Sequence, residues 1–234
     1  GQRASQGKAR DVIATGQAWQ VMVALFIGAV VQQQFGGAEG VGDHHGGGQV
    51  TAAGRELYLV GGSVRDALLG RLHKADLDFT TDARPAELQK MLRGWAEALW
   101  DTGIEFGTIG AAKYGQRIEI TTFRADSYDQ VSRNPEVVFG DRLEDDLVRR
   151  DFTVNAMAVR INPDLPGGIG EFHDPLGGLT ALADRVLDTP SAPQVSFGDD
   201  PLRMLRAATL QGVPAYMSAS TSTPLPSSSA RTRL

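Results

Sequence analysis

The sequence predicts an α/β or α+β domain built around one sheet. Three observations carry this. A short apolar run, "ELYLVGG", ends in two glycines and passes straight into a helical pattern. "FGTIGAAKYGQRIEITTFR" reads as two strands around a "YGQ" turn. Between them "RPAELQKMLRGWAEAL" has helical spacing.

The elements follow in order. "ELYLVGG" is a buried strand ending at Gly61. "SVRDALLG" is a helix, with Ser63 as its N-cap and Gly70 as its stop. "ADLDFTT" is a second strand. In "RPAELQKMLRGWAEAL", Pro85 stands near the helix start, and Leu88, Met91, Leu92, Trp95 and Leu99 share one face. The hairpin comes next. "RRDFTVNAMAV" opens a further apolar segment, helical or strand-like. "DDPLRMLRAATL" starts a helix with Pro201 in its first turn.

The globular block spans residues 55–211. Residues 32–54 are Gly- and Gln-rich without periodicity and read as loop or linker. Residues 212–234 are Ser/Thr/Pro-rich and read as a disordered tail. The chain has 234 residues, a net charge of −5 and no cysteine. Disulfides, thiolate metal sites and a Cys nucleophile are thereby excluded, which fits a reducing compartment; a cytoplasmic protein is expected. An acidic chain must hold any nucleic acid through a local patch. The longest apolar stretch, residues 18–31, is shorter than the roughly 20 residues that span a bilayer. No membrane partner is expected.

Residues two apart on a strand share a face, so Asp76 and Asp78 point the same way, while Leu77 and Phe79 face a core. Paired carboxylates repel unless a cation lies between them, and hard oxygen ligands at this spacing suit Mg²⁺. Alone, Asp-x-Asp more often marks an exposed acidic strand end. In "RIEITTF", Ile118 and Ile120 take the apolar face and turn Glu119 to the other, with Arg117 and Thr121. If the two strands are neighbours, three carboxylates converge and can hold two Mg²⁺ for an in-line phosphoryl displacement. Taken singly, Glu119 is as well explained by a solvated hairpin.

Gly61 and Gly62 bring backbone N–H groups to a helix start without side chains in the way, which suits an anion. Arg65 adds a charged phosphate donor. Asp66 either orients Arg65 or is a favourable acid near a helix start. A tight turn explains Gly-Gly alone; phosphate donors followed by Asp-x-Asp are the stronger signal. In "GDDPLRMLRA", Arg203 and Arg206 share a helical face behind Asp199 and Asp200. An acceptor–donor Asp–Arg pair matches the amino group and ring nitrogen of cytosine and adenine, and mismatches uracil and guanine. An N-capped, salt-bridged helix is the plainer reading. In "LVRRDFTVNAMAV", Arg150 could bind phosphate or ribose, and Asp151 could bridge it or cap the segment. "HDPLGGL" and "GDHH" read as loops, despite His173 and His44–His45 beside aspartates.

Together "LVGGSVRDALLG", "DLDFTT", "IEITTFRADSY", "DLVRRDFTVNAMA", "DPLGGL" and "DDPLRMLRA" resemble, in order, the head and early neck of bacterial class II tRNA nucleotidyltransferases, the CCA-adding enzymes, and the related bacterial poly(A) polymerases. The resemblance covers about residues 55–208. It implies an α+β fold, a polymerase-β-like nucleotidyltransferase palm with a mixed sheet, followed by the start of a helical neck. The expected organisation is an N-terminal extension and Gly-rich linker over 1–54, a head over 55–190, the neck start over 191–211 and the tail over 212–234.

The resemblance implies that Asp76, Asp78 and Glu119 are the catalytic, Mg²⁺-binding carboxylates. It implies that Gly61, Gly62, Ser63, Arg65, Asp66, Arg150 and Asp151 bind nucleotide, and that Asp200, Arg203 and Arg206 form the protein template that selects CTP and ATP. It associates the Asp-Pro-Leu-Gly-Gly loop with a flexible segment used in switching from C to A addition. The implied reaction adds C and A to the tRNA 3′ end and releases pyrophosphate. Poly(A) addition to RNA 3′ ends, or a nucleotide-binding fragment without activity, are the alternatives. A Rossmann reading is weak, because "LVGGSVRD" lacks Gly-x-Gly-x-x-Gly.

Two departures stand out. The template begins Asp199-Asp200 where the family has Glu-Asp. After "LRA", the family's arginine position holds Thr209, and the helical pattern dissolves. The body and tail that grip tRNA have no counterpart, which reads as a truncation or a frame error. A chemically complete head with a weak tRNA grip is therefore expected.

Overall fold

The structure is a computed structural model that describes residues 47–70, 77–113, 115–125, 138–165 and 168–211. Asp76, the Asp43–His45 cluster, Tyr114 and the tail expected over 212–234 lie outside the described residues.

The described chain runs α1 (Gly47–Ala52), β1 (Leu57–Val60), α2 (Gly62–Leu68), β2 (Leu77–Thr81), α3 (Pro85–Leu92), β3 (Ala98–Trp100), β4 (Thr108–Lys113) and β5 (Gln116–Thr122). A short pair, β6 (Arg124–Ala125) and β7 (Val138–Phe139), leads to α4 (Leu143–Val148). Then come β8 (Ala158–Ile161), β9 (Ile169–His173), α5 (Gly178–Asp184), α6 (Pro193–Asp199) and α7 (Leu202–Gln211). The main sheet has the order β3-β4-β5-β2-β1-β8-β9. β2 and β5 are parallel, and the other pairings in this sheet are antiparallel, so the sheet is mixed.

Alternation along the strands separates two faces. Leu57 and Leu59 of β1, Leu77 and Phe79 of β2, Ile109 and Ala111 of β4, and Ile118 and Ile120 of β5 enter one core. Val50 of α1, Val64 and Ala67 of α2, and Leu88 and Leu92 of α3 close it. Each fully buried aliphatic or aromatic side chain there contributes roughly 1.5–3 kcal/mol. On the opposite face, Tyr58, Val60, Phe123, Leu143, Leu147, Ala156 and Ala158 form a smaller cluster around α4. The rest of that face stays open around Asp78 and Glu119.

Several expectations need correction. The Gly-rich stretch expected as linker up to residue 54 ends in α1, whose Val50 is fully buried in the main core. The helix expected over "RPAELQKMLRGWAEAL" stops at Leu92, before the poor helix former Gly94. Trp95 then packs into the core from a turn, and Leu99 lies on edge strand β3. Ser63 is not the N-cap of α2; Gly61 is. The Asp-Pro-Leu-Gly-Gly segment is, as expected, a turn, and it runs into α5 at Gly178. Asp174 accepts the N–H groups of Gly178 (2.6 Å) and Leu179 (2.9 Å), and a Cβ on Gly178 would overlap the Thr153 carbonyl oxygen. Burial pushes the Asp174 carboxyl above its usual range, against these N–H donors. His173 ends β9, and its ring meets that of Tyr58 edge-on at 5.4 Å.

Candidate active site

β1 runs into α2 through Gly61, at φ 69° and ψ −138°. This backbone conformation belongs to glycine. A second constraint acts at the same position, since a Cβ there would lie 2.8 Å from Nη1 of Arg150. Sequence alone offers the Gly-Gly pair as an open backbone. The structure adds that an arginine occupies the space beside it. Ser63, buried in the first turn, uses its Oγ to accept the backbone N–H of Asp78 at 3.2 Å. The glycine turn and the acidic strand are thus tied together.

Asp78 pairs in register with Glu119 across the parallel β2–β5 ladder. Both are exposed and lie on the face opposite the core. This bears out the neighbouring-strand expectation for these two residues. Two adjacent hard oxygen donors of this kind fit a divalent cation. Among the described residues no group of three or more Asp, Glu, His or Cys gathers to hold a metal; Asp76, the expected third donor, lies outside them.

Asp78 borders a cleft of about 510 Å³. Gly61 and Gly62 form part of its wall. Arg124, Arg149, Arg150, Arg203 and Arg206 line it with Asp146, Asp151, Asn155, Asp200 and Thr121. The expected residues Gly61, Gly62, Asp78, Arg150, Asp151, Asp200, Arg203 and Arg206 therefore converge. Glu119, Ser63, Arg65, Asp66 and Asp199 stand behind or beside the cleft rather than lining it. Asp199 is the last residue of α6, one helix before the arginines.

The cleft is held by a continuous polar chain. Arg65 forks onto Asp66 at 2.8 and 3.0 Å, so Asp66 orients the arginine. Arg65 also donates to Oδ1 of Asn155 at 2.6 Å. Asn155 donates in turn to Asp151 at 2.9 Å. Arg206 stands 3.7 Å from both Asp151 and Asp200. Asp200 also accepts the Leu202 N–H at 3.0 Å, at the start of α7. Arg203 donates to Ser196 Oγ at 2.7 Å and to the Arg149 carbonyl at 2.9 Å. These bonds join α6, α7 and the Arg-Arg-Asp segment to α2 through Asn155.

Arg150 donates to Asp146 at 3.1 Å, and its buried Nε has no partner among the described residues. The Nε of Arg203 is likewise buried without a partner among the described residues. Burial lowers Arg124 from the usual arginine range, while nearby Asp146 opposes that shift. An arginine-lined cleft with incompletely satisfied guanidinium groups suits a polyanion such as a triphosphate.

Sequence reasoning missed Asn155, Asp146, Arg124 and Ser196. Asn155 carried one usable signal: it stands four residues after Asp151, a spacing that lets the two side chains meet on a helical turn. Asp146 and Ser196 lie in segments whose composition marks nothing.

Comparison with known proteins places these features. The sequence profile described as the poly A polymerase head domain matches residues 57–188. The CCA-adding enzyme of Lacticaseibacillus paracasei is 43% identical over 160 residues, covering 68% of this chain and 37% of that protein. The CCA-adding enzyme of Lactobacillus helveticus is 42% identical over 156 residues, covering 66% of this chain and 36% of that protein. The chain thus spans little more than a third of the length of these curated relatives. Among solved structures, the Bacillus stearothermophilus CCA-adding enzyme in complex with CTP aligns at a TM-score of 0.57 and 31% identity, covering 81% of this chain and 39% of that one. A tRNA nucleotidyltransferase complexed with a primer tRNA and an incoming ATP analog aligns at 0.55 and 35% identity, covering 71% of this chain and 44% of that one. The mixed sheet is accordingly the polymerase-β-like nucleotidyltransferase fold. No described helix is long and apolar enough to cross a membrane.

Proposed function

The chain belongs to the poly A polymerase head-domain family, and from that premise we propose that it is the nucleotidyltransferase head of a CCA-adding enzyme. The RNA 3′ hydroxyl oxygen attacks the α-phosphorus of CTP or ATP. The bond from that oxygen to phosphorus forms, the bond to the β-phosphate bridging oxygen breaks, and pyrophosphate leaves while the hydroxyl loses its proton.

One observation supports this reading above the others: the Asp78–Glu119 pair stands at the border of an arginine-lined cleft whose wall is bare glycine backbone. Asp78 and Glu119, with Asp76 expected beside them, would hold a divalent cation, proposed as Mg²⁺, whose charge favours the ionised hydroxyl and offsets the triphosphate. Arg150 and the Gly61–Gly62 turn receive phosphate oxygens. Arg65, locked by Asp66 and Asn155, holds the wall of that turn in place. Asp200 and Arg203 select the base, accepting the amino group of cytosine or adenine and donating to the ring nitrogen. Arg206 keeps Asp200 and Asp151 in position. The helices α6 and α7 are the start of the neck, and the tRNA 3′ end is the acceptor.

The decisive experiment incubates the chain with tRNA lacking its CCA end, Mg²⁺ and radiolabelled CTP or ATP. Incorporation of C, then A, supports the proposal. Incorporation of A alone on any RNA 3′ end supports the second reading, poly(A) addition, after which the head-domain family is named. Incorporation of UTP as readily as CTP refutes the base-selecting role of Asp200 and Arg203.

A further inference from the structure

The open face of the sheet carries a feature that the transfer step does not use. Register places Trp100, Gly110, Glu119 and Asp78 in one row across β3, β4, β5 and β2. Their side-chain positions therefore share the carboxylate face. With strands about 4.8 Å apart, the Trp100 backbone stands roughly 10 Å from that of Glu119.

The indole of Trp100 lies down along this row. A Cβ built on Gly110 would overlap its Nε1 and Cε2 atoms, so the ring rests directly on the glycine backbone. The next positions on the same face are Ala98 and Ala112, which keep the floor low. Arg117, two residues before Glu119 on β5, holds its guanidinium 5.6 Å from the ring centroid. Trp100 is half-buried and Arg117 is exposed. This indole fills no core. The core of the sheet lies on the other face, where Trp95 is packed.

A flat indole beside an exposed guanidinium is the surface that stacks unpaired bases, because every base presents a π-face and its phosphate is drawn to the cation. We propose that Trp100 and Arg117 form a stacking platform for an unpaired base next to the 3′ terminus of the RNA acceptor. The platform holds the strand whose terminal hydroxyl is delivered to the Asp78–Glu119 end of the row. This inference rests on the nucleotidyltransferase reading, which supplies the acceptor strand.

The test is a titration of the whole chain with a short single-stranded RNA, followed by anisotropy at fixed salt, with calorimetric CTP titration and thermal melting in parallel. Trp100→Leu weakens RNA binding roughly tenfold, the loss expected for one stacked base, and leaves CTP affinity unchanged. Trp100→Phe retains most of the affinity. Gly110→Ala keeps the tryptophan but lifts it from its floor, and weakens RNA binding in the same direction. An RNA with an abasic residue beside its 3′ terminus binds the unaltered chain more weakly than the complete RNA.

Full RNA affinity in a folded Trp100→Leu chain overturns the platform. So does equal binding of the abasic RNA, a parallel fall in CTP affinity, or self-association that Trp100→Leu abolishes, which would make this edge a protein contact. RNA binding that depends on Trp100 in a chain that binds no nucleotide sustains the platform and refutes the nucleotidyltransferase reading instead.

Discussion

Gly61→Ala tests the junction between glycine turn and arginine. Two costs fall on one methyl group. The backbone at φ 69° and ψ −138° is one that side chains avoid, at about 1–3 kcal/mol. The new Cβ would also stand 2.8 Å from Nη1 of Arg150, so the guanidinium must retreat by about 0.6 Å to reach ordinary contact distance. Its 3.1 Å bond to Asp146 is then stretched or lost. Gly70→Ala is the control, because Gly70 has φ +64° but, among the described residues, nothing within 4 Å of its Cβ position. Both variants should melt lower, by roughly 4–8 °C for a cost of about 2 kcal/mol in a chain of this size. Only Gly61→Ala should lose nucleotide affinity. Displacing a charge-assisted phosphate contact worth about 1.5–3 kcal/mol weakens CTP binding by roughly 10- to 100-fold. Calorimetric CTP titration and thermal melting of the two variants decide the matter. A folded Gly61→Ala chain with unaltered CTP affinity would show that Arg150 and the turn do not meet the triphosphate.

Asp78→Asn should abolish nucleotide transfer while shifting stability by no more than about 0.5 kcal/mol, since the side chain is exposed; incorporation assays beside melting curves check it, and retained transfer removes Asp78 from the chemistry. Arg203→Gln should narrow the preference for CTP over UTP by about 1–3 kcal/mol, by analogy with bidentate base contacts; competitive titration of the two nucleotides reads this, and an unchanged ratio counts against the template. Burial pushes the Tyr58 hydroxyl up to about 12, above its usual 10. The folded state therefore holds that proton longer than the unfolded state. The associated stability is intact below pH 10 and is lost as pH rises toward 12. Tyr58→Phe should melt with a shallower alkaline slope between those values, and equal slopes would contradict the assignment. Binding of tRNA should be weak and steeply salt-dependent, since it rests on phosphate neutralisation by a local patch on an acidic chain; tight binding at 200 mM salt would reveal a further grip.

The strands were legible because alternation is a strong local signal. Ile118 and Ile120 fix the buried face of β5, and Glu119 must take the other. Placing β5 beside β2 was not readable locally, since the pairing joins segments about 40 residues apart and depends on the crossover between them. The helix after Pro85 was overextended for a related reason. Met91, Leu92 and Trp95 keep helical spacing in sequence, yet Trp95 reaches the same core from a turn, and Leu99 lies exposed on edge strand β3. Ser63 illustrates the limit at single residues. Its type suits a cap, but tertiary structure commits its hydroxyl to the Asp78 backbone. Asn155 was invisible because its worth lies in joining Arg65, 90 residues away, to Asp151.

The parallel pairing of β2 with β5 also has a consequence for how the chain acquires its chemistry. Hairpins such as β4–β5 close over a few residues and form early, whereas a parallel ladder must wait for an intervening crossover to be laid down. Here α3, β3 and β4 all lie within that crossover. Asp78 and Glu119 consequently meet only when that long loop is closed. A half-folded chain, or one still emerging during synthesis, therefore has its two acids on separate pieces. The topology itself thus keeps the two carboxylates apart until the domain is whole.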